Sequence, residues 1–160
     1  MRLFKTLAGA AAALAVAAPA AAAEPSALLA LDFLSQNDEV VYYLSSGTQQ
    51  RQDDKVEFWV FVAEKQPQNV DGLEVVGLWF RQQVDCKADT LVVVEGVVLK
   101  SDLTVLMRKL TDDKPERPVP SSVAAAAFDH LCRGAALSDE RPDAGTLNEA
   151  IRLAQGDRSI

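Results

Sequence analysis

The sequence predicts an α+β domain: an antiparallel sheet of about six strands with one C-terminal helix tethered to it by a disulfide. Three observations carry that prediction. Apolar residues between positions 28 and 107 recur mostly at period two, the repeat of a strand with one buried face. After residue 120 the repeat becomes helical, with capping residues at both ends. The only two cysteines are divided between these regions: Cys86 ends a strand-like run and Cys132 sits on the helix.

The N-terminus makes a disulfide plausible. Arg2 and Lys5 precede an uncharged Ala/Leu/Val run over 7–18, Pro19 interrupts it, and Ala21-Ala22-Ala23 offers the small residues of a secretory cleavage site. The run falls short of the roughly 20 residues a bilayer-spanning helix requires. Residues 1–23 are therefore expected to be a cleaved leader, with no stable membrane anchor afterwards and a periplasmic or secreted product. No Arg-Arg pair marks twin-arginine export, and Glu24 stands where a lipoprotein would carry cysteine. Cleavage leaves 137 residues, enough for one core. Those residues hold 14 basic and 23 acidic side chains, a net charge of −9. Such a surface disfavours phosphate backbones, so nucleic acid is excluded as a partner class.

The main domain is expected over 24–134, followed by a polar tail over 135–160. Residues 28–34 and 40–44 flank the turn-forming cluster Ser35-Gln36-Asn37-Asp38, which predicts a hairpin; a short helix capped by Ser26 is the alternative. Residues 45–54 form a polar connection. The clearest strand covers 56–62, with Val56, Phe58, Val60 and Val62 on one face and Glu57, Trp59 and Phe61 on the other. A loop is expected over 66–72, then a strand over 73–86 with a bulge at Gly77. Counting back from Cys86 in twos reaches Val84, Gln82, Phe80 and Leu78, the more apolar face. Residues 91–99 are nearly unbroken apolar sequence, as in a strand buried on both faces. A tight turn at 100–102 leads into a short strand over 103–107, and the charged, proline-bearing stretch 111–120 predicts irregular structure.

Ser122 is placed to cap a helix whose Phe128, Leu131 and Cys132 form one stripe, with Arg133 and Gly134 at its end. Both cysteines thus point inward by independent patterns, and two cysteines in an exported chain most often pair. Closing that loop of 47 residues, counted inclusively, is worth roughly 4 kcal/mol by chain entropy. In the tail, Thr146-Leu147-Asn148-Glu149 fits a capping box before a short helix with Leu147 and Ile151 on one side; whether it docks is left open.

In order, Val-Tyr-Tyr (41–43), Phe-Trp-Val (58–60), Val-Asp-Cys (84–86), Pro-Val-Pro-Ser-Ser-Val (118–123) and Leu-Cys (131–132) resemble the surface-adhesin protein E family over roughly 40–132. The resemblance implies six antiparallel strands and a C-terminal helix joined by a disulfide matching Cys86 and Cys132. It further implies a protein-binding role, since the founding adhesin is a surface lipoprotein that binds host matrix and plasma proteins and pairs as a dimer. This chain departs from the family in lacking the lipidation cysteine and in adding the tail.

The residues themselves point to no catalytic site. His130 and Cys132 are two apart on a helix, about 200° around its axis, so they diverge. No spacing suits zinc, and Asp53-Asp54 and Asp112-Asp113 do not follow a calcium loop. No cofactor or metal is expected. Glu95, inside an apolar strand, is the one candidate general acid, with an edge position or a partner such as Arg81 the favoured reading. Trp59, Phe61 and Trp79 suggest an apolar patch needing cover: the N-terminal hairpin, the tail or a second copy. Core packing is the default there, and homodimerisation through that patch or a strand edge is the functional reading. Tyr42, Tyr43, Trp59 and Trp79 are the candidates for an interaction surface. The expected role is an exported, non-enzymatic binding module with an unidentified protein partner; a small periplasmic inhibitor or accessory subunit is the alternative.

Overall fold

The first hairpin turns on one side chain: Asn37 Oδ1 accepts the backbone N–H groups of Glu39 and Val40. It joins β1 (Leu28–Gln36) to β2 (Val40–Ser45) in antiparallel register. The computed structural model describes residues 28–156, so the expected leader lies outside the described residues. The remaining strands are β3 (Gln50–Gln52), β4 (Lys55–Val70), β5 (Leu73–Asp85), β6 (Thr90–Lys100), β7 (Val105–Leu110) and β8 (Ala144–Thr146). They form one eight-stranded sheet in the order β7-β6-β5-β4-β2-β1-β8, with β3 paired to β4 beside that path. All the pairings are antiparallel. Two helices, α1 (Val123–Arg133) and α2 (Leu147–Ala154), complete the fold.

Period-two patterning divides the sheet into two apolar faces. Leu44, Val56, Phe58, Val60, Val62 and Val84 pack with Ala127, Phe128 and Leu131 of α1. Leu31, Phe33, Val41, Tyr43, Trp59, Phe61 and Trp79 gather with Leu147, Ala150, Ile151 and Leu153 of α2 on the other side. The sheet is therefore a middle layer, and burial of its apolar side chains against a helix on each face is the main stabilising term.

Both helices start and stop where their capping residues dictate. Ser122 Oγ accepts the Ala125 N–H, and Gly134 closes α1 in the left-handed conformation at φ 69°. Thr146 Oγ1 accepts the Glu149 N–H, while Glu149 Oε2 reaches back to the Gly145 N–H. The tail docks firmly. β8 pairs with β1, the Asp143 carboxylate accepts the Phe33 N–H at 2.8 Å, and Arg141 donates to both Gln36 Oε1 and the Leu153 carbonyl.

Several elements differ from the sequence-based expectation. The expected connection over 45–54 contains a 3₁₀ turn and β3. The loop expected over 66–72 shrinks to a turn at Asp71 and Gly72, because β4 continues through Pro67 to Val70. A register shift between Ala63 and Gln68 accommodates that proline, which cannot donate to a ladder. A second shift, between Val75 and Gly77, meets the expected bulge. There a Cβ on Gly77 would lie 2.6 Å from the Val62 carbonyl and 2.7 Å from the Phe61 ring, so only glycine fits. Strand β6 is not buried throughout: Val97 and Leu99 are, whereas Val92, Val94 and Val98 are half-buried. Its outer neighbour is the short β7, and most of the buried strand side chains that join the helices belong to β1, β2, β4 and β5.

Candidate interaction surface

A covalent tether positions α1 against the sheet. Cys86, just past β5, and Cys132, in the last turn of α1, are bonded with their Cα atoms 5.3 Å apart. Around the same helix end, Arg51 of β3 donates to the Leu131 carbonyl at 2.6 Å. Arg133 pairs with Asp129 at 2.7 Å and lies over the Phe128 ring. A cation at the negative end of a helix is favourably placed.

Of the candidates for an interaction surface, Trp59 and Trp79 follow the core-packing default, and Tyr43 packs with them. Tyr43, Trp59 and Trp79 are buried, leaving 0–3% of their surface exposed, and only Tyr42 is half-buried, on the opposite face. Trp79 packs edge-on to Trp59 at 6.2 Å and against Phe61 at 4.9 Å. These three therefore form no exposed patch on this chain, because α2 and its companions close over that face. Of the three covers considered, the N-terminal hairpin and the tail both share this core. Burial also pushes the Tyr43 hydroxyl up in pKa, with the nearby Arg141 opposing.

The candidate chemistry is occupied as well. Glu95 is 6% exposed, yet its carboxylate receives Arg81 Nε at 3.0 Å and Arg108 Nε at 3.2 Å. Arg81 also reaches Glu57 at 2.9 Å, so alternating charges cross β4, β5, β6 and β7 as a ladder. Cys132 has no free thiol, and His130 Nδ1 lies 2.8 Å from the Ala135 carbonyl. Among the described residues, no three His, Cys, Asp or Glu side chains converge as a metal site. Asp53 sits at a turn with φ 53°.

Glu64, on β4 opposite Val40 and beside the first hairpin turn, has a different environment. Burial first, and the Glu39 carboxylate second, raise its carboxyl above the usual range. The folded chain therefore holds this proton more tightly than the unfolded one. The resulting stability is complete below the unfolded carboxylate pKa of about 4.3 and is lost as pH rises through the folded value. Glu64→Gln is expected to raise the urea midpoint at pH 7 and to leave it unchanged near pH 3. Screening at this half-exposed position keeps the gain to at most about 0.5 kcal/mol. A gain at pH 3 equal to that at pH 7 would count against this cause.

Exposed apolar side chains gather instead on β7 and beside it. Val105, Met107 and Leu110 are 50%, 55% and 68% exposed, and Val119 stands out from the neighbouring strap. That strap, residues 111–120, crosses the start of β6 through paired backbone bonds between Glu116 and Leu91. A groove of about 470 Å³ runs between strap, β6 and α1, lined in part by Val93, Lys114, Arg117 and Ala124. Sequence reasoning missed β7 as a surface because period two shows which residues share a face, not which strand is outermost. The clue was the charged, proline-rich stretch that follows it, a composition typical of a sheet margin.

Together these features define a small α+β domain, its sheet held between two helices and one helix fastened by a disulfide. A family model described as surface-adhesin protein E matches residues 32–133, and the chain belongs to that family. The match ends at the close of α1, so β8 and α2 lie beyond it. No curated protein and no solved structure matches the chain. Among the described residues, no helix is long and apolar enough to cross a membrane.

Proposed function

We propose that this chain is an exported, non-enzymatic protein-binding module, periplasmic or secreted, whose residues 1–23 are removed as a leader. Residues 24–134 form the adhesin-like domain, and the tail over 135–160 adds a second helical layer to it. The observation that carries this reading is the concentration of large exposed apolar side chains, Val105, Met107 and Leu110, on one outermost strand. Membership of an adhesin family supports it, as does a disulfide suited to an oxidising compartment. Glu95, the sole candidate acid, is neutralised by two arginines, a structural arrangement.

The purified oxidised chain, immobilised and exposed separately to matrix and plasma proteins and to an envelope extract, tests the reading. Saturable capture of a matrix or plasma protein is the expected result. One stoichiometric enzyme, inhibited on binding, would replace adhesion by the inhibitor or accessory-subunit role. No saturable partner in either sample would overturn a protein-binding function. Sedimentation of the chain alone decides whether it pairs with itself.

A further inference from the structure

We propose that β7 receives an extended acidic segment of a partner protein as an additional antiparallel strand; the inference rests on the protein-binding reading and names its surface. The two margins of the sheet are unequal. At one end β8 is three residues long and runs straight into α2. At the other, β7 offers six residues without proline, and among the described residues its only strand partner is β6. A strand in that position carries a row of main-chain donors and acceptors available to another chain.

Side chains extend the argument. The register Tyr42↔Val62↔Leu78↔Val98↔Met107 runs straight across β2, β4, β5, β6 and β7. All five residues are apolar and share the face that carries α1. Met107, 55% exposed, is where this row stops. A residue paired opposite Met107 continues the row and is expected to be apolar.

Charge selects the remainder of the segment. Lys109, two residues on and on the same face, pairs with no carboxylate among the described residues, and neither do Lys114 and Arg117 on the strap. The rest of the molecule is acidic overall. A carboxylate opposite Lys109 is therefore favoured. In antiparallel pairing, the residue opposite Lys109 lies two positions before the one opposite Met107. The recognised segment reads acidic-x-apolar from its N-terminus.

A second copy fits this margin less well. Self-pairing centred on Arg108 or Lys109 sets like charges directly opposite. Centring it on Met107 sets Val105 against Lys109 and Leu106 against Arg108. The register shift between Val98 and Leu99 puts Val105 and Met107 on opposite faces, which spoils a centre at Leu106. An acidic strand from another protein meets none of these conflicts.

The probe is a capped synthetic peptide, Thr-Thr-Glu-Thr-Val-Thr-Thr, titrated to millimolar concentration into the isotope-labelled chain and followed by amide NMR. Shifts confined to residues 105–110 and their β6 neighbours are expected, with slowed amide exchange in β7. Replacing the peptide's Glu by Lys, or exchanging its Glu and Val, should weaken binding about two- to fivefold, the range of one cross-strand pair. The Lys109→Glu chain should reverse the preference between the Glu and Lys peptides. Lys109 is exposed, so the variant's unchanged amide spectrum elsewhere verifies its fold. Absence of binding, shifts centred on the strap groove, no charge preference, or concentration-dependent β7 shifts from self-association would each overturn the proposal. If Lys109→Glu binds the same matrix or plasma protein with an affinity unchanged from the parent chain, the β7 assignment falls while the protein-binding function stands.

Discussion

Reducing the Cys86–Cys132 bridge lowers the stability of the folded chain by about 2–4 kcal/mol, seen as a fall in the urea midpoint between oxidised and reduced protein. Bonding residues 46 positions apart removes much of the freedom of the unfolded chain, and that effect sets the upper figure. The folded structure explains where the loss is felt. Helix α1 fully buries only Ala127, Phe128 and Leu131, a small apolar contribution for 11 residues. Its C-terminal turn is held by the bridge and by the hydrogen bond from Arg51 to the Leu131 carbonyl. With the bridge cut, amide exchange should quicken first in α1, whereas α2 and its face, which share no cysteine, keep their protection. A Cys86→Ala/Cys132→Ala chain should behave as the reduced protein does. An unchanged midpoint in both would show that packing alone holds α1.

Arg81→Met is the second large effect expected, a loss of about 2–4 kcal/mol in the same assay. Methionine keeps much of the apolar stem between Trp59 and Glu95, the cross-strand neighbours of Arg81, but removes the guanidinium from two carboxylates. The Glu95 side chain is 8% exposed and cannot turn to water. It retains Arg108, whose side chain is 42% exposed, so compensation is partial. Adding Glu95→Gln should recover part of the loss, and the double-mutant cycle should give a coupling of about 1–3 kcal/mol. A single-variant cost below about 0.5 kcal/mol would place the ladder with ordinary surface pairs.

Much of this architecture was legible in local patterning. Alternation in Val56, Phe58, Val60 and Val62 assigned one face of β4 correctly, and counting back from Cys86 found the matching face of β5. Ser122, Gly134 and Thr146 marked helix ends because a helix terminus needs particular side-chain or backbone partners, and those residues supply them. The cysteine pairing followed from two inward-facing positions in a chain whose N-terminus reads as an export leader. The extra length of β4 was hidden, since Pro67 is a breaker unless a register shift frees its position from the ladder.

What the sequence determined by itself, then, was the antiparallel sheet, its two-sided patterning, both capped helices and the bridge, all of which depend on short-range periodicity and residue chemistry. Only the tertiary structure decided that Tyr43, Trp59 and Trp79 form a core with α2, that Glu95 is shared by two arginines, and that β7 stands outermost. Periodicity records which side of an element is apolar; what covers that side depends on segments distant in the chain, such as α2 meeting β4. The physical reason is that burial is a property of the assembled layers, fixed when both faces of the sheet acquire their helices.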